Sequence, residues 1–97
     1  MLEKQLEKYF IWTVASIGGK TYKFRSFNQS GVADRIVCLP NGDTWFVELK
    51  APSGKLSELQ KFFEKEVKGL SQKYACLWEK EKIDEWATVT GLPRIGS

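Results

Sequence analysis

Ninety-seven residues, 42% hydrophobic and 28% charged, suit one compact soluble domain and exclude a disordered chain. The net charge of +3 permits an anionic partner without requiring one. Histidine is absent, which removes Ser-His and Cys-His triads, His-ligated zinc and any nuclease with a His base, so catalysis would rest on carboxylates, lysines or a metal.

The chain opens on "LEKQLEKYFIWTVASIGG", where Leu2, Leu6, Phe10, Val14 and Ile17 recur at helical spacing and Gly18-Gly19 supplies the stop. On a helical wheel Glu3 falls inside the apolar arc and Glu7 at its edge, so a carboxylate is expected to face the core. "KTYKFRSF" reads as a strand and "NQSGVAD" as a loop. "DRIVCLP" and "TWFVELK" flank the turn "NGD" and predict a hairpin. After the loop "APSG", the segment "KLSELQKFFEKEVKGL" predicts a second helix with Leu56, Leu59, Phe63, Val67 and Leu70 as its stripe. "KYACLWE" is a last strand, "KIDEWATV" a short last helix, and "LPRIGS" a loose tail. The order αβββαβα places a crossover helix between strands, so an α/β fold with a mixed sheet flanked by helices follows, in one domain over 1–92 with a tail over 93–97.

Cys38 and Cys76 lack the paired spacing of zinc sites and are expected to be buried reduced thiols. No apolar run approaches the roughly 20 residues of a membrane span, and "MLEKQLEK" is too charged for a secretory signal. A cytoplasmic location with no membrane partner is the expectation.

The chemistry concentrates in "WFVELKAPSG". Strand alternation points Glu48 and Lys50 to one face and Val47 and Leu49 to the other. The hairpin brings Asp34 toward Glu48, and the two share a face only with a three- or five-residue connection or an irregular start at Asp34. Two carboxylates this close repel unless a cation lies between them, and oxygen ligands without His or Cys suit Mg2+ or Mn2+. An adjacent lysine can orient or deprotonate an attacking water, or stabilise charge on phosphate.

Asp34 after "SGVA", a hairpin, "ELK", and a helix bearing Gln60 form a joint pattern. The stretch "GGKTYKFRSFNQSGVADRIVCLPNGDTWFVELKAPSGKLSELQ" resembles the VRR-NUC domain, a branch of the PD-(D/E)xK nuclease superfamily, with Gly-x-x-Asp, Glu-x-Lys and Ser-x-x-Gln in order. The likeness runs over roughly residues 3 to 90 and is to small stand-alone, phage-type members. It implies a restriction-endonuclease-like core, with Asp34 and Glu48 as metal-binding acids and Lys50 as the catalytic lysine. It further implies that the Leu49 carbonyl meets the metal, that Gln60 lies near the site, and that helix one supplies an acid, Glu3 by the wheel argument or else Glu7. Ala33 stands where relatives often have Pro. The implied activity is Mg2+- or Mn2+-dependent hydrolysis of DNA phosphodiester bonds leaving 5′-phosphate and 3′-hydroxyl ends, on branched DNA such as Holliday junctions. Alternatives are a nicking or restriction-like nuclease, or a non-catalytic DNA-binding module of the same fold.

Lys20, Lys23, Lys55 and Lys61 are candidate phosphate contacts, and Ser30 and Gly31 are expected to let a backbone approach closely. A homodimer would place two active sites for paired cuts, with Trp12, Phe24, Phe27 and Trp45 as possible interface aromatics.

Overall fold

The computed structural model describes residues 2–24, 31, 33–52 and 54–90. Its elements run α1 (Glu3–Ser16), β1 (Lys20–Lys23), β2 (Arg35–Cys38), β3 (Thr44–Leu49), α2 (Glu58–Gly69), β4 (Lys73–Leu77) and α3 (Lys80–Thr90). The sheet order is β1-β2-β3-β4, antiparallel at the first two junctions and parallel between β3 and β4. A parallel pair needs a crossover, which α2 supplies. The fold is α/β with a mixed four-stranded sheet, as the order of elements implies.

Alternation along β3 sorts the two layers. Val47 and Leu49 join Leu6, Phe10 and Val14 of α1, with Ile83, Trp86 and Ala87 of α3, in the larger core. Phe46 turns the other way and packs with Phe63 and Val67 of α2, Phe24 and Tyr74. The sheet therefore buries both faces, α1 and α3 on one and α2 on the other. Glu48 shares the α2 face with Phe46, at the end of the strand.

Local chemistry explains the boundaries. α1 ends at Ile17, and Gly18 then takes φ +84°, a conformation favoured by glycine. α2 starts at Ser57, whose hydroxyl accepts from the Gln60 N–H while the Gln60 side chain returns to the Ser57 N–H, a capping box. In the hairpin Cys38 faces Thr44, so residues 39–43 make a five-residue connection. Continuing the Arg35–Val47 register by one step sets Asp34 opposite Glu48.

Several expectations need correction. Cys38, the last residue of β2, is exposed and Cys76 half-buried, so neither thiol is a core residue, and both are free. In α2 only Phe63 and Val67 are buried; Leu59 and Leu70 lie on the flanks of the stripe and are exposed, as is Leu2 before α1. β4 ends at Leu77 rather than Glu79, and α3 starts at Lys80 because its first turn is already closed by the Lys82 and Ile83 N–H groups on the Glu79 carbonyl. The expected continuation of the first strand through 25–27 and the tail at 93–97 lie outside the described residues.

Candidate active site

Glu48 is the most deeply placed charged residue of the sheet, with 1% of its surface exposed. Its Oε2 accepts a hydrogen bond from Gln60 Nε2 at 3.1 Å, and Lys50 Nζ lies 3.9 Å from the same oxygen. The capping box explains the orientation of Gln60. Its carbonyl oxygen is occupied by the Ser57 N–H, which leaves the NH2 end to donate into the site. One amide thus joins the first turn of α2 to the end of β3.

Asp34 precedes β2. Its Oδ2 accepts the Leu49 N–H at 2.9 Å, and its carbonyl accepts the Phe24 N–H at 2.9 Å, so β3 and the end of β1 fix its position. Burial pushes the Glu48 carboxyl up to about 8, helped by its hydrogen bond with Asp34 and by the Asp34 and Glu3 charges, while Lys50 only partly opposes the rise. Two carboxyl groups sharing a hydrogen bond hold one proton between them, and at neutral pH the pair keeps it. The field extends along the α2 face. Burial pushes the Cys76 thiol up to about 11, with Glu48 as the next cause, and the Tyr74 hydroxyl is raised by burial and then by Cys76 and Glu64.

These groups open on a cavity of about 350 Å³. Asp34, Glu48, Leu49 and Lys50 form one wall, and Glu3, Lys4 and Glu7 of α1 form the other. Every anionic donor on it is a hard oxygen, the kind Mg2+ and Mn2+ prefer. Among the described residues no three His, Cys, Asp or Glu side chains are grouped to hold a metal ion. Two carboxylates, a main-chain oxygen and water nonetheless suffice for Mg2+, which keeps several waters. Asp34 and Glu48 bring their oxygens to one wall of the cavity with no softer donor beside them, so the residues present fit a divalent ion.

No protein-family model matches the chain. A solved structure described as "VRR_NUC domain" superimposes with a TM-score of 0.85, covering 91% of this chain and 96% of that one at 24% identity. The chain has the VRR_NUC fold. In sequence, 58 residues are 48% identical to "Putative nuclease p44" of Acyrthosiphon pisum secondary endosymbiont phage 1, a match over 60% of this chain and 62% of that protein. The chain thus spans less than two thirds of the curated relative it matches.

On this VRR_NUC fold, Asp34, Glu48, Lys50 and Gln60 come together, with Glu3 and Glu7 across the cavity. Glu3, the first residue of α1, is exposed rather than core-facing, and the buried side of the helix begins at Leu6. Glu7 is half-buried and engaged by Arg35 at 3.4 Å. Lys20, Lys23 and Lys55 are exposed, and Lys61 pairs with Glu58 at 3.4 Å in an exposed contact that contributes little. Gly31 lies against the first turn of α2, where a Cβ would be 2.6 Å from Leu59. Ser30 and Phe27 lie outside the described residues. Phe24 and Trp45 pack in the two cores, and of the interface aromatics named from sequence, Trp12 is exposed. Sequence reading missed Lys4 on the cavity wall and the Arg35–Glu7 pair. The signal for the pair was a charged residue in step with Val37 on a core-facing position of β2.

Proposed function

We propose that the chain is a metal-dependent nuclease that hydrolyses DNA phosphodiester bonds, acting on branched DNA such as four-way junctions. The observation that carries this reading is the buried Glu48 facing Asp34 with Lys50 beside it at one end of an open cavity. The VRR_NUC fold and the phage relative's description as a nuclease support it.

Asp34, Glu48 and the Leu49 carbonyl would hold Mg2+ or Mn2+, with Glu3 completing the set from α1. Such an ion supplies charge stabilisation for the attacked phosphate and acidifies bound water. The protein's share is positional. The Leu49 N–H holds Asp34, Gln60 holds Glu48, and Lys50 stands close enough to orient the attacking water or offset charge on the phosphate. Lys50 is in turn set by its own N–H, bonded to the Leu77 carbonyl at 3.1 Å.

Lys20, Lys23, Lys55 and Lys61 are the proposed phosphate contacts, and two copies related by a two-fold axis would present paired sites to a symmetric branch. The proposed location is the cytoplasm of a bacterial or phage-infected cell; among the described residues no helix is long and apolar enough to cross a membrane.

The test is cleavage of a labelled four-way junction beside linear duplex, flap and single strand, with Mg2+ or Mn2+ and Lys50→Ala as control. Paired cuts at the junction that the substitution abolishes are expected. Cutting of linear duplex alone would make it a nicking or restriction-like enzyme, and no metal-dependent cutting by folded protein would leave a DNA-binding module. Sedimentation at micromolar concentration tests the two-fold arrangement, against which a monomer mass counts.

A further inference from the structure

Four carboxylates border the cavity, and α1 contributes two of them, Glu3 and Glu7, one turn apart on the same side of the helix. A cation held by Asp34 and Glu48 can draw on one further carboxylate through its waters, so a device that sets which of the two is offered would matter. Arg35 supplies it. As the residue after Asp34 in an extended strand, it projects to the opposite face of the sheet, toward α1. It is buried, with 6% exposure. Its Nε donates to Thr21 Oγ1 at 2.9 Å, and that hydroxyl donates to the Ile36 carbonyl at 3.0 Å, which fixes the guanidinium against β1 and β2. Its Nη1 then reaches Glu7 Oε2 at 3.4 Å.

A guanidinium buried this deeply requires an anion, and Glu7 is the carboxylate in reach. Glu7 therefore already has a cation. Glu3, one turn earlier, is exposed and faces the same cavity, and its charge is among those that bear on Glu48. We infer that Arg35 is a positioning residue that reserves Glu7 as its counter-ion and keeps it from the metal, leaving Glu3 as the acid that α1 offers to the site. Consecutive residues of one strand would then do opposite work: Asp34 binds the cation on one face, and Arg35 withdraws a competing carboxylate on the other. The inference rests on the metal-site reading above.

The experiment is Mn2+ titration by calorimetry, above the pH at which Glu48 ionises, with folding followed by circular dichroism. Arg35→Met leaves Glu7 without its cation, and because divalent-ion affinity rises with ligand charge, Mn2+ should bind about fivefold or more tightly. Adding Glu7→Leu removes the freed carboxylate and leaves neither charge without its partner, with circular dichroism checking that the fold is kept. The double variant should therefore return to within about threefold of the wild-type affinity, whereas Glu3→Gln should weaken binding by roughly tenfold or more. Weaker binding by Arg35→Met, a tenfold loss in the double variant, or no loss in Glu3→Gln would each overturn the inference. Asp34→Asn separates the two levels: if it binds Mn2+ as wild type does, or if wild type binds none, the metal-site reading itself fails.

Discussion

Glu48 holds a proton at neutral pH because it is buried beside a second carboxyl group, and this has consequences for the metal-free protein. Its carboxyl titrates near 4.5 in the unfolded chain and near 8 in the folded one. A raised folded value means that the stability tied to the protonated form is complete below about pH 4.5 and is lost as pH rises through 8. Metal-free wild type should therefore lose stability, on the order of a few kcal/mol, between these limits. Glu48→Gln keeps the hydrogen-bonding shape without the titration, and its urea midpoint should vary much less over the same interval; parallel curves for the two proteins would refute the assignment. Lys50 makes a different prediction. Because it lies 3.9 Å from Glu48 and half-exposed at the cavity, Lys50→Ala should cut the cleavage rate by about a hundredfold or more while leaving Mn2+ binding in place. A matching loss of metal affinity would make Lys50 a structural counter-ion instead. The placement of these side chains was legible from alternation alone. The requirement that Asp34 share a face with Glu48 called for an odd hairpin connection, and the connection has five residues, 39–43. Arg35 was not legible in the same way, since its partner Glu7 lies 28 positions away and only the packing of α1 on the sheet brings them together.

At the level of elements, the site depends on how the first turn of α2 docks against the strand ends. Ser57 caps that turn and thereby aims the Gln60 amide at Glu48. Ser57→Ala should cost about 1 kcal/mol of stability through the lost cap. Because the Ser57 backbone N–H that holds the Gln60 amide survives the substitution, cleavage should fall no further than this stability cost predicts. Cleavage assayed well below the melting temperature checks this; a loss far beyond the stability cost would mean that the hydroxyl, through the Gln60 N–H, also orients the amide. Gly31 is the second contact. At φ +81°, with Leu59 only 2.6 Å from where a Cβ would sit, it admits no side chain without displacing the helix start. Gly31→Ala should destabilise the fold by about 1 to 3 kcal/mol, read as a lower urea midpoint, and should weaken cleavage through Gln60. The capping signal was visible as Ser-x-x-Gln in the sequence. The reason for the glycine was not, since a positive φ says that glycine is suited and only the fold says what presses on it. The apolar stripe of α2 was likewise overread: helical periodicity includes Leu59 and Leu70, but the sheet beneath reaches only Phe63 and Val67.

For the whole molecule, these pieces couple folding, protonation and metal binding in one equilibrium. A divalent ion must displace the proton shared by Glu48 and Asp34, so its apparent affinity should fall about tenfold for each pH unit below the Glu48 value of about 8. An ion that binds only the folded state stabilises it by RT ln(1 + [L]/Kd), which is about 2.7 kcal/mol at a hundredfold excess over Kd. For a chain of this length that corresponds to a rise in melting temperature of about 10 to 20 °C. With the metal concentration held fixed and the pH lowered by about two units, the excess vanishes, and the same formula leaves about 0.4 kcal/mol, a rise of only a few degrees. The melting curve with and without Mn2+, measured on either side of the Glu48 value, should therefore show a large shift at the higher pH and a small one at the lower. Glu48→Gln should remove both the shift and its pH dependence, since it deletes one anionic ligand and the proton that competes for it. A shift of equal size at both pH values would mean that the ion binds elsewhere on the surface, to carboxylates already ionised throughout this range. A pH-dependent shift that survives Glu48→Gln would place the competing proton on a different group.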